Sequence, residues 1–265
     1  MFNFKTVKAL IIDMDGVLWT GSVPLPGLNR FFDLLHSRSI PYILATNNAS
    51  KTVDQYCQKL AGFGVTIKPE TVMTSSLATA AYLEGELPPG SKLYIVGQDG
   101  LHEALGQVGF TIVHDHSQPV EAVVAGIDFT LTYDKLKHGA LLIRRGARFI
   151  GTNGDLTFPS EEGLLPGAGS ILAALEAATG VKPITIGKPE PFMLQVAMRK
   201  MGSTPDQTVM IGDRLETDIL GGQRAGIRTI LVTTGIDKPE TIAQKGIQPD
   251  VVLSGLEELI DRWGS

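Results

Sequence analysis

Short apolar runs, each followed at once by polar and glycine residues, alternate along this chain with stretches of helical periodicity. The runs Lys8–Ile12, Tyr42–Ala45, Leu93–Val96, Thr111–Val113, Ala122–Ala125, Arg148–Ile150, Ile184–Ile186, Thr208–Ile211 and Thr229–Val232 read as strands. Helices are expected over Leu28–Ser37, over 50–63 with Ser50 as N-cap, and over Thr74–Tyr82, Leu101–Val108, Thr132–Arg145 and Ser170–Thr179. Three more are expected after Pro191, near Thr217–Ala225 and near Leu256–Trp263. Alternation at this spacing predicts an α/β fold of parallel sheets with crossover helices. Leu87-Pro88-Pro89-Gly90 and Gly180-Val181-Lys182-Pro183 are boundary signals. The expectation is a core built from 1–85 and 182–265, with a second α/β unit inserted over 86–181.

A length of 265 residues with 43% hydrophobic positions is enough for a sizeable core and two moderate domains. The formal net charge of −5 argues against a nucleic-acid partner, because binding a phosphate backbone needs a basic surface. No basic amphipathic stretch and no apolar run of spanning length points to a membrane, and no cleavable leader is visible. Cys57 is the only cysteine, so no intramolecular disulfide can form, which fits a reducing cytoplasm.

The first strand empties into Asp13-Met14-Asp15-Gly16-Val17. Two carboxylates at the carboxyl end of a buried strand repel each other and lose hydration unless a cation or shared proton intervenes. A calcium loop is poorly supported, because its twelfth position, counted from Asp13, is Pro24. A plain turn remains an alternative for the motif by itself. Three further strand ends carry polar groups: Thr46-Asn47-Asn48, Gly187-Lys188-Pro189, and Gly212-Asp213-Arg214-Leu215-Glu216-Thr217-Asp218. In one parallel sheet all four ends would lie on one edge.

These four motifs, in this order, resemble the haloacid dehalogenase superfamily, and in particular its phosphatases. Asp13 to Trp19, Thr46-Asn47-Asn48 and the position of the insert resemble the NagD-like branch, which includes p-nitrophenyl, phosphoglycolate and pyridoxal phosphatases. The resemblance implies a Rossmann-like core with a large inserted α/β cap. It implies Asp13 as nucleophile and Asp15 as general acid and base. It also implies Mg²⁺ held by Asp13, the backbone carbonyl of Asp15, and Asp213. Thr46, Asn47 and Lys188 would bind phosphate oxygens, with Asn48 and Asp218 in support. The cap segment Gly151–Pro159 would contact the leaving group, which makes Asn153, Asp155, Thr157 and Phe158 candidate specificity residues, although an ordinary turn would have the same composition.

The implied activity is hydrolysis of small phosphorylated metabolites through an aspartyl-phosphate. A phosphotransferase such as a sugar phosphomutase, or a non-catalytic metabolite-binding protein, are the alternatives. Caps of this branch often mediate dimers, so a homodimer is an expectation. His114-Asp115-His116 lacks further metal ligands nearby and reads as a solvated loop. Pro166-Gly167-Ala168-Gly169-Ser170 lacks the third glycine of a dinucleotide loop and reads as the start of a helix.

Overall fold

A computed structural model describes residues 4–160 and 162–264. The chain first forms β1 (Ala9–Ile12), the hairpin β2 (Trp19–Thr20) and β3 (Val23–Pro24), α1 (Leu28–Ser37), β4 (Tyr42–Thr46), α2 (Val53–Gly62) and β5 (Val72–Thr74). There follow α3 (Ser75–Glu86), β6 (Lys92–Val96), α4 (Asp99–Gln107), β7 (Thr111–Val113), β8 (Ala122–Ala125), α5 (Tyr133–Arg144) and β9 (Arg148–Gly151). The hairpin β10 (Thr157–Ser160) and β11 (Gly163–Pro166), α6 (Ala168–Thr179) and β12 (Ile184–Thr185) come next. The last third holds α7 (Phe192–Met201), β13 (Thr208–Gly212), a π-helical turn (Leu215–Ile219) running into α8 (Leu220–Arg224), and β14 (Arg228–Val232). It ends with α9 (Pro239–Lys245), β15 (Val251–Leu253) and α10 (Leu256–Gly264).

Two compact units result. The first comprises 1–46, 56–73 and 188–265, and the second 47–55 and 74–187. The expected boundaries at 85/86 and 181/182 fall inside the second unit. Helix α3 groups there because it packs on α4, and β12 does so because it pairs with β9.

In the first unit a six-stranded sheet runs β15-β14-β13-β1-β4-β5. The pairings of β1 with β13 and β4, of β13 with β14, and of β14 with β15 are all parallel. Strands β1, β4 and β13 are buried at every position, which is why they appear in sequence as unbroken apolar runs. Helix α1 buries Leu28, Phe31, Phe32 and Leu35, one stripe at helical spacing, and α10 buries Leu256, Leu259, Ile260 and Trp263 in the same rhythm. The strand order reverses between β1 and β13, so the crevice at their carboxyl ends is the ligand position of a doubly wound sheet.

In the second unit a five-stranded sheet runs β12-β9-β8-β6-β7, also parallel. Its core is Tyr94, Val96, Val123, Leu142, Phe149, Leu172 and their neighbours. The expectation that four motif-bearing strands share one sheet edge is corrected here. β1, β4 and β13 share an edge, but β12, the strand before Lys188, is an edge strand of the other sheet. Apolar periodicity fixes that a segment is a strand and does not fix which sheet it joins. The N-cap of α2 is also not Ser50. Thr52 and Gln55 form a reciprocal capping pair, with the Gln55 N–H donating to the Thr52 hydroxyl and the Thr52 N–H to Gln55 Oε1.

Candidate active site

The first unit gathers its charged groups at the β1/β13 crevice. Asp13 directly follows β1 and Asp213 directly follows β13. Asp218 is brought in by the π-helical turn, a local widening of the helix often found at functional sites. Gly212 makes room for it, since a Cβ on Gly212 would come within 2.2 Å of the Asp218 Cβ. Oxygens of Asp13, Asp213 and Asp218 lie within 4.8 Å of one another, the only such group of three or more ligand side chains among the described residues. Asp213 is enclosed by backbone. A Cβ on Gly16 (φ +82°) would stand 2.3 Å from its Oδ2, and one on Gly235 would stand 1.8 Å away. The Ile236 N–H donates to the same oxygen at 2.8 Å.

Lys188 is 2% exposed and lies among these acids. Its Nζ donates to Asp13 Oδ1 at 2.5 Å, to Asp218 Oδ1 at 2.7 Å and to the Ala45 carbonyl at 2.9 Å. The Arg214 N–H completes Asp218 through Oδ2 at 3.1 Å. Three buried carboxylates thus face one ammonium, and the electrostatics reflect that imbalance. Burial lifts Asp13 well above the ordinary carboxylate range, with Asp218 and Asp213 adding to the rise against the opposing pull of Lys188. Burial and the Asp218 charge push Asp213 up to about 7. Burial lowers Lys188, but the Asp13 and Asp218 carboxylates outweigh it and hold the ammonium above its usual range. An oxygen-only donor set with surplus negative charge suits a hard divalent cation.

Asp15 is exposed, and its Oδ1 accepts a hydrogen bond from the Trp19 indole N–H at 2.7 Å. Thr46 ends β4 and is buried. The remaining sequence candidates lie in the second unit. The Asn47 and Asn153 amides both donate to Asp155 Oδ2, at 2.9 and 2.7 Å. Asn48 Oδ1 accepts from the backbone N–H and hydroxyl of Ser50, an Asx turn leading towards α2. Thr157 and Phe158 lie on the β10–β11 hairpin, where the Phe158 ring meets Phe129 edge-on at 6.0 Å. The Gly167-Ala168-Gly169 segment starts α6 as expected. Its glycines let the Gly167 N–H reach the Leu156 carbonyl and the Gly169 N–H reach the Asp155 carbonyl. His114, Asp115 and His116 form no group of three ligands among the described residues.

Sequence reasoning assigned no role to Trp19, Gly235 or Asp237. Buried Asp237 accepts from the Leu215 N–H at 2.7 Å and the Thr241 hydroxyl at 2.9 Å, and so anchors the start of the π-helical turn. No local pattern marks Asp237, whereas the Asp15-Gly16 pair at least signalled a turn.

The sequence pattern of the haloacid dehalogenase-like hydrolases matches residues 10–111, and that of the related HAD-hydrolase-like group matches 185–259. The 5'-nucleotidase YutF of Bacillus subtilis is 40% identical over 97% of this chain and 98% of its own length. The crystal structure of a 4-nitrophenylphosphatase from Thermotoga maritima superposes with a TM-score of 0.92, at 36% identity over 97% of this chain and 98% of that one. A glycerol phosphate phosphatase from Mycobacterium tuberculosis, solved in complex with magnesium, superposes at 0.90 with 34% identity, covering 97% of this chain and 77% of that one. On motif order, fold and near full-length identity alike, the chain belongs to the haloacid dehalogenase-like hydrolases, in their NagD-like phosphatase branch.

Proposed function

We propose that this protein is a Mg²⁺-dependent phosphomonoester hydrolase of small phosphorylated metabolites, working through an aspartyl-phosphate on Asp13. The observation that carries the proposal is the buried trio Asp13, Asp213 and Asp218 around the single ammonium of Lys188. The relatives, a 5'-nucleotidase, a 4-nitrophenylphosphatase and a glycerol phosphate phosphatase, support small phosphate esters as the substrate class.

In this reading Asp13, the backbone carbonyl of Asp15, and Asp213 hold the ion, with Asp218 behind them. When bound, Mg²⁺ supplies charge neutralisation between the phosphate dianion and the anionic nucleophile. Lys188 fixes the rotamer of Asp13 through Oδ1 and lends positive charge to the phosphate. An Asp13 oxygen bonds to phosphorus as the ester P–O bond breaks, and Asp15 gives its proton to the leaving oxygen. Water then attacks phosphorus and passes a proton to Asp15, and the bond to Asp13 breaks to release inorganic phosphate. Thr46 binds phosphate oxygens through its hydroxyl and Asn47 through its backbone N–H, since the Asn47 amide is engaged by Asp155. Asn48 supports that loop.

The first unit is read as the catalytic core and the second as the cap, with Asn153, Asp155, Thr157 and Phe158 selecting the leaving group. A cytoplasmic location and a homodimer belong to the same proposal, supported by the lone Cys57 and by the family respectively. Among the described residues, no helix is long and apolar enough to cross a membrane.

Phosphate release from p-nitrophenyl phosphate tests the proposal with Mg²⁺, with EDTA, and in Asp13→Asn. Release that needs the metal and falls at least about 10³-fold in the variant is expected. Release that survives Asp13→Asn would sink the mechanism, and transfer to an added sugar in place of water would favour a phosphotransferase.

A further inference from the structure

Trp19 is wholly buried, and its ring is held on several sides. Tyr56 stacks on it with centroids 6.5 Å apart, and Phe63 leans against it at 6.1 Å. Lys59 Nζ sits 4.2 Å over the ring centroid while donating to the Gly21 carbonyl at 2.9 Å. The backbone closes the same loop, with the Gly16 N–H donating to the Trp19 carbonyl at 2.7 Å. A ring gripped in this way has one direction for its single N–H, and that direction ends on Asp15 Oδ1 at 2.7 Å. Asp15, by contrast, is exposed at the loop surface, where a short side chain has rotamer freedom to lose.

We infer that Trp19 is a positioning residue for the acid–base step. It engages Asp15 Oδ1 and leaves Oδ2 as the oxygen that gives a proton to the leaving group and later takes one from water. The inference rests on the proposed phosphatase reading. It assigns the two oxygens of one carboxylate separate tasks. Oδ1 accepts from a fixed indole that has no proton to lose at working pH, which makes that oxygen the less basic of the two and favours Oδ2 for proton exchange with substrate. Holding the carboxylate in one rotamer before substrate arrives is worth rate only where proton donation limits the reaction.

That condition supplies the test. kcat/KM reports steps up to formation of the phosphoenzyme. A 2,4-dinitrophenolate leaves without a proton, whereas the alkoxide of glycerol phosphate needs one. With Mg²⁺ present, Trp19→Phe is expected to lower kcat/KM for glycerol phosphate about 10- to 30-fold and that for 2,4-dinitrophenyl phosphate less than about threefold. An equal loss on both esters would overturn the inference and leave Trp19 a purely structural residue.

A second measurement does not depend on the variant folding or on turnover. The chain has two tryptophans, Trp19 and Trp263, so an ¹⁵N-labelled sample gives two indole N–H resonances. Asp15→Asn, at an exposed side chain, is expected to move the Trp19 resonance upfield and leave that of Trp263 in place. If neither moves, the hydrogen bond is absent in solution and the inference fails. A wild-type protein that turns over neither ester would sink the phosphatase reading itself, an outcome the resonance shift does not share.

Discussion

The two units each place an aspartate and a lysine near a reversal of strand order, yet the pairs behave oppositely. In the second unit the order reverses between β6 and β8, and buried Asp128 lies just beyond β8. It accepts from Lys135 at 2.6 Å, from the Gln98 amide at 2.9 Å, and from the Thr130 N–H and hydroxyl at 2.9 and 2.8 Å. Burial raises Asp128, but the Lys135 and Thr130 hydrogen bonds outweigh it and hold the carboxyl below its ordinary range. In the first unit Asp13 also has a lysine, and its carboxyl is nonetheless held high, because burial raises it and the Asp218 and Asp213 charges add to that rise against the pull of the one lysine. Burial alone therefore does not separate a structural acid from a chemical one. The balance of charge does: one cation for one anion closes a site, and one cation for three leaves it needing another.

Breaking the shared cation should have the largest effect. Lys188→Met removes the ammonium from two carboxylates, and we expect a loss of about 3–5 kcal/mol in urea unfolding without metal. Phosphate release should fall at least about 10²-fold with metal. A variant as stable and active as the wild type would mean that the acids are not held by Lys188.

Titration of the surplus charge sharpens the same contrast. Asp213 rises from 3.8 to about 7 on folding, so between those values the folded chain holds a proton that the unfolded chain has released. The stabilisation is therefore complete below the unfolded value and fades as the pH climbs towards 7. On the proposed metal reading, a divalent ion competes with that proton. The rise in Tm on adding Mg²⁺ should thus grow from pH 5 to pH 8, reaching several degrees when the ion is about 100-fold above its Kd. A shift independent of pH would detach Asp213 from the metal.

The smallest effect on turnover is expected from the closed pair. Asp128→Asn should cost about 1–3 kcal/mol of stability and leave kcat/KM within about threefold. A collapse of activity in a folded Asp128→Asn protein would refute the division of labour between the two strand-end acids.

Much of this arrangement is legible in the sequence, for an identifiable reason. A parallel strand buried on both faces leaves a continuous apolar run, so β1, β4 and β13 stand out and the polar residues after them mark the crevice. Short peripheral elements leave no such trace. The β2–β3 and β10–β11 hairpins, β5, α9 and β15 are too short to carry a run or a periodicity of their own. Asp13, Asp213 and Lys188 are spelled out by motif, whereas the close approach of Gly235 to Asp213 and the packing of Trp19 against Tyr56 and Phe63 join distant segments. Nothing in local spacing encodes that Thr185 pairs with Gly151 and not with a strand of the first sheet.

The register of β1 has a consequence for how the protein is made. Ala9 lies opposite Thr208, so the strand that presents Asp13 cannot gain its central partner until Thr208–Gly212 has been synthesised. The β6–β9 sheet, drawn from a nearly unbroken middle segment, meets no such delay. Lys188, Asp213 and Asp218 all lie downstream of that middle segment, whereas Asp13 and Asp15 precede it. A chain that stops after the middle segment therefore holds Asp13 and Asp15 without Lys188, Asp213 or Asp218, and the charge cluster of the crevice forms only once the third stretch of the first unit has been made.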